Sequence, residues 1–129
     1  MEMRTVWAAT ASRALSSDKV WSAAAQVTLT DGATITWTLT SPQLYSNATV
    51  TLGGNRTLAF SGTSNGASGT LIVKQDATGG RTLALPAGSK VAGGGGGACT
   101  LSSAANAIDV LTFTYDGTNY LWTCTQNFN

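Results

Sequence analysis

Between residues 27 and 40 apolar and polar side chains alternate strictly. Val27, Leu29, Ile35, Trp37 and Leu39 fall on one side, threonines on the other, and Asp31-Gly32 separates the two runs. A period of two over four to eight residues marks a half-buried β-strand. Runs of the same kind recur to the end of the chain and predict about eight strands, near 27–30, 33–40, 48–52, 57–60, 69–75, 81–85, 107–115 and 120–126. Alternation assigns an inner face of Ile35, Trp37, Leu39, Val50, Leu52, Leu58, Phe60, Leu71, Val73, Leu83, Leu85, Leu111, Phe113 and Tyr115.

Asp31-Gly32 and Asp116-Gly117 have the chemistry of tight hairpin turns, and Gly53-Gly54-Asn55 and Thr78-Gly79-Gly80 that of slightly longer ones. Short strands joined this way predict an all-β fold, an antiparallel β-sandwich of jelly-roll type. In Ala107-Ile108-Asp109-Val110-Leu111 the period slips, because Ile108 and Val110 point opposite to Leu111 and Phe113. Either a bulge resets the register there or the strand is covered on both faces. Ile108, Val110 and Trp122 are therefore the candidate subunit-interface residues.

Residues 1–26 lie outside the alternating pattern. They hold Trp7, Trp21 and a run of alanines with Arg13 and Lys19 between them, and they read as an arm that packs on something else, with 27–129 as the β domain. Trp7, Arg13 and Trp21 are the candidate anchoring residues, since aromatic side chains seated in partner pockets dominate interface energy.

Composition narrows the function classes. Charged residues make up 10% of the chain, against about a quarter in a typical soluble domain, and the net charge is +1. The seven cations are scattered with no two adjacent, so no basic stripe exists for nucleic acid. No apolar run approaches the ~18 residues of a membrane span, and the first residues lack a signal-peptide pattern, so the expected site of synthesis is a cytoplasm. In that reducing setting Cys99 and Cys124 are expected to be small buried apolar residues rather than a pair. A surface poor in like-charge repulsion suits fixed contacts between many copies.

Candidate chemistry is sparse. The chain has no histidine, which removes the commonest general base and metal ligand. Asp31, Asp76 and Asp116 stand at turns, where aspartate serves its own backbone. Asp76–Gly80 and Asp116–Asn119 lack the alternate carboxylates of a calcium loop. Asp109, alone in mid-strand, is expected on the solvent side or paired with Lys74 or Arg81. The expectation is a protein without catalytic residues, metal or other cofactors. Among the aromatics, Trp21, Tyr45, Tyr115, Tyr120 and Trp122 could supply a sugar-stacking face, with Trp122 better placed in a core or interface.

Three stretches, ATVTLGGNRTLA at 48–59, LIVKQDATGGRTLAL at 71–85 and TLSSAANAIDVLTFTYDGTNYLW at 100–122, together resemble a small β domain recurrent in virion proteins of tailed bacteriophages. Upstream, ATASRALSSDKVWSAA at 9–24 is similar to a short repeat of phage fibre stalks, with Ser-Ser-Asp where that repeat has a Thr-Pro step. The resemblance implies a structural or adhesive module at the virion surface, a homotrimer without catalytic residues. Two roles follow: a decoration (cement) protein held on the major capsid protein by residues 1–26, or a tail-fibre tip subunit that touches host surface glycans. The decoration role is the primary expectation.

Overall fold

A computed structural model of the chain describes residues 25–39, 46–63, 65–94 and 97–128. They form nine strands: β1 (Gln26–Thr28), β2 (Thr34–Thr38), β3 (Asn47–Leu52), β4 (Arg56–Ser61), β5 (Ser68–Gln75), β6 (Leu83–Ala84), β7 (Ser89–Val91), β8 (Ile108–Tyr115) and β9 (Tyr120–Thr125). Eight match the alternating runs; β7 is additional, a short edge strand in a segment with no readable alternation. The fold is all-β, with a six-stranded sheet in the order β1-β3-β5-β8-β9-β7 and a three-stranded sheet in the order β2-β4-β6.

Five of the seven strand pairings are parallel, where a chain of hairpins would be antiparallel. The reason lies in three of the four turns. Asp31-Gly32, Gly53–Asn55 and Asp76–Thr82 do not fold each strand back on its predecessor; they carry the chain across from the large sheet to the small one. Each crossing makes a rung, β1–β2, β3–β4 and β5–β6, and successive rungs stack in parallel. Asp116-Gly117 alone acts as expected, closing the antiparallel β8–β9 hairpin with Tyr115 opposite Tyr120. That hairpin lies antiparallel to β5 and ends the stack in the large sheet.

Parallel stacking places like on like. Ile35 lies beside Leu58 and Trp37 beside Phe60 in the small sheet. In the large sheet Ala48, Leu71, Leu111 and Cys124 form one row, and Val50, Val73 and Asp109 another. The inward faces of both sheets close on one core, in which Ile35, Trp37, Leu52, Leu58, Leu71 and Leu111 are fully buried. Aromatic rings seal one end of it. Trp37 meets Phe113 edge to face at 5.4 Å across the sheets, and Phe60 stacks on Trp122 at 6.1 Å. Trp122 is thus a core residue with no surface to offer a partner subunit, and its indole N–H donates to Ser89 Oγ at 2.9 Å.

The other end of the core is closed by polar side chains. Gln75 and Asp109 are both buried, and their groups are satisfied locally. The Gln75 amide donates to the Arg81 and Ser102 carbonyls and accepts from the Arg81 N–H. Asp109 is neither solvent-facing nor paired with a cation: its carboxylate accepts from the Ser102 N–H at 2.6 Å, the Ser102 hydroxyl at 2.7 Å and the Asn127 N–H at 2.8 Å. It thereby ties the loop before β8 and the tail after β9 to one strand. The β5–β8 ladder runs unbroken from Ser68↔Thr114 to Lys74↔Ile108, so no bulge is needed. The apparent slip in the sequence arises because the inward residue at that position is Asp109.

Cys99 and Cys124, expected to be separate, are joined in a disulfide with Cα atoms 6.2 Å apart, within the span such a bond requires. Strand β9 and the segment leading into β8 converge there, a contact that sequence spacing does not disclose.

Gly69 on β5 faces the aromatic end. A Cβ there would stand 2.8 Å from the Ser46 carbonyl oxygen and 2.9 Å from both Phe113 and Trp37. None of these can move without disturbing the core, so Gly69→Ala is expected to cost about 1–3 kcal/mol, the usual range for overpacking. Chemical denaturation should show a lower midpoint with an unchanged slope.

Candidate functional site

Alternation sends the other half of each strand outward. On the large sheet the outward rows are Ser68, Thr114 and Leu121; Asn47, Thr70, Thr112 and Thr123; then Thr49, Ile72, Val110 and Thr125; and last Thr51, Lys74 and Ile108. This face is mostly hydroxyl, with Ile72, Val110 and Ile108 as an apolar centre and Lys74 and Lys90 as its cations. Ile108 and Val110 are therefore outward, half-buried and contiguous, as an interface requires. Trp7, Arg13, Trp21 and Tyr45 lie outside the described residues.

Tyr115 and Tyr120 sit at the end of the sheet, but their rings are used internally. They stack on each other at 4.5 Å, and Tyr120 packs on Phe60 at 4.8 Å. Tyr115 donates to the Gly117 carbonyl, and the Tyr120 hydroxyl shares a hydrogen bond with Thr63. Each ring thus has a face engaged within the fold.

What sequence reading missed is a groove of about 320 Å³ on the large sheet, lined by Ser46, Asn47, Ser68, Gly69, Thr70, Thr112, Phe113 and Thr114. It spans the starts of β3 and β5 and the end of β8. The signal was present only as outward threonines; that Thr70 adjoins Thr112 and Asn47 depends on β5 pairing antiparallel with β8 and parallel with β3, which the sequence does not declare.

Three carboxylates stand elsewhere, Asp31 and Asp76 at crossings between sheets and Asp116 at the β8–β9 turn. Asp31 accepts from Arg56 Nε at 2.8 Å and Nη2 at 2.9 Å, and from the Gly53 N–H, linking the first two crossings. Asp76 accepts from the Thr78 and Gly79 N–H groups and from the Arg81 guanidinium at 3.0 Å. Asp116 accepts from the Thr118 and Asn119 N–H groups. Among the described residues no three His, Cys, Asp or Glu side chains come close enough to hold a metal ion.

These bonds hold all three carboxyls below their ordinary value of 3.8: Asp31 chiefly through the Arg56 side chain, Asp76 chiefly through Arg81, and Asp116 chiefly through the Asn119 N–H. A lowered folded-state pKa contributes stability that is complete above the unfolded value and lost as pH falls through the folded one. Unfolding midpoints should accordingly hold steady from neutral pH down to about 4 and drop below it. Arg56→Gln should lower the neutral-pH midpoint, and its gap to wild type should close in strong acid; a gap independent of pH would show that the pair does not carry the effect.

Residues 37–120 match the family described as "Putative phage tail fibre C-terminal domain". No curated protein and no solved structure shows significant similarity to the chain. The match runs from Trp37 in β2 to Tyr120 at the start of β9, so it takes in most of the core, two of the three crossings and the groove. The chain belongs to the phage tail fibre C-terminal domain family.

Proposed function

We infer that this protein is a structural and adhesive module of a bacteriophage tail fibre, present in several copies and turned toward the host surface. The observation that carries this reading is the family match over residues 37–120, from the end of β2 to the start of β9. It favours the fibre over the capsid-decoration role that the sequence first suggested, and no feature of the described residues favours the capsid. The surface supports an adhesive part: both sheets face outward largely with small hydroxyl residues, and half of the charged residues among those described are tied up in the Asp31–Arg56 and Asp76–Arg81 pairs.

The half-buried Ile72, Val110 and Ile108 suit contact with a second copy, and a homotrimer is the assembly we propose. Residues 1–26, with Trp7, Arg13 and Trp21, are the segment we assign to attachment within the particle. Among the described residues, no helix is long and apolar enough to cross a membrane.

Gold-labelled antibody against the purified protein, applied to intact particles of the phage that encodes it, tests the location. Label on the tail fibres is expected; label spread over the head would restore the decoration reading. Free protein in excess should also slow adsorption of the phage to its host, and adsorption unaffected at saturating protein would remove the adhesive part of the proposal.

A further inference from the structure

The groove on the large sheet has a chemistry of its own. Thr70 lies between Asn47 and Thr112 in one row, and Ser68 lies beside Thr114 in the next. Neighbouring strands are about 4.8 Å apart and same-face residues along a strand about 7 Å apart, so these side chains form a small lattice of hydroxyls. The hydroxyls of Ser68, Thr70, Thr112 and Thr114 have no hydrogen-bond partner among the described residues. Each offers one donor and two acceptor positions. Among the described residues no charged side chain lines the groove, and its 320 Å³ is near the lower end for small-molecule sites.

The geometry points to this groove as a binding site for an uncharged saccharide of one or two rings. An anion would find no cation in the lining, and an apolar ligand would strip water from four hydroxyls without replacing its hydrogen bonds. A neutral sugar both donates and accepts across the same spacing. Because Phe113, the aromatic among the described lining residues, is almost wholly buried, each site binds weakly. Copies held together on a fibre would convert weak sites into firm attachment. The chemistry rests on the groove alone; that the sugar belongs to a host surface rests on the tail-fibre reading.

Thr70→Val with Thr112→Val removes two hydroxyls at nearly constant shape from outward positions. Full-length wild type and double variant would be titrated with glucose, galactose, mannose and N-acetylglucosamine, with glucuronate as the charged control. Amide shifts and saturation transfer would be followed by NMR, and association state by sedimentation.

At least one neutral sugar is expected to shift the Thr70 and Thr112 amides. Its binding should survive about 0.5 M NaCl and weaken about tenfold or more in the double variant, as loss of two hydrogen bonds implies. The inference is overturned if none of the four sugars perturbs these amides, if the variant binds as wild type does, or if glucuronate binds best. It is overturned equally if the variant changes association state and leaves sugar binding alone, since the row would then belong to a subunit contact. Gold label on the head together with sugar binding at the groove would sink the fibre reading and leave the site standing.

Discussion

Everything in this structure depends on inward side chains meeting their equivalents one rung away while facing a second sheet. Ile35 beside Leu58 and Trp37 beside Phe60 are held in line by parallel backbone pairing. The opposite sheet presents Leu71, Leu111 and Phe113 to the same interior. A rung alone could not bury its apolar face, because a single pass through two sheets exposes both edges of its core. Truncating one buried Leu typically costs about 2–5 kcal/mol, so the stacked rows outweigh the exposed ion pairs at the crossings. Those pairs set where the chain turns; the rows decide that it stays folded.

The strands were legible because period-two alternation survives whatever the neighbour is. Asp31-Gly32 shows the limit of that reading. Its turn chemistry serves a hairpin and a crossing equally well, and only the partner of the following strand distinguishes them. Asp31 is in fact used at long range, bridging to Arg56 and Gly53. Asp116-Gly117 has the same composition and makes a true hairpin, because the strands on either side are long enough to pair along their length.

Asp109 was misread for a related reason: sequence alone gives no view of Ser102 and Asn127 converging on it, and without them a carboxylate inside a strand pattern looks like an error of phase. Trp122 shows how an outward-looking flank can mislead, since Leu121 is exposed while the indole beside it is buried. The candidate groove was illegible altogether, being a property of three strands that adjoin only through the parallel β3–β5 and antiparallel β5–β8 pairings.

Function follows the same division of labour. Among the described residues two ion pairs stand at the crossings, apolar bulk lies inside, and the outer faces of both sheets are largely hydroxyl. Such a surface lacks the long-range fields that steer charged partners, which suits recognition through many weak neutral contacts.

Nuclear Overhauser contacts between backbone protons test the arrangement most directly. The stacked rungs require cross-strand contacts between Val27 and Ala48 in the large sheet and between Ile35 and Leu58 in the small one. Those contacts are the expected result. Antiparallel contacts between β1 and β2 across Asp31-Gly32, with none between Ile35 and Leu58, would contradict it.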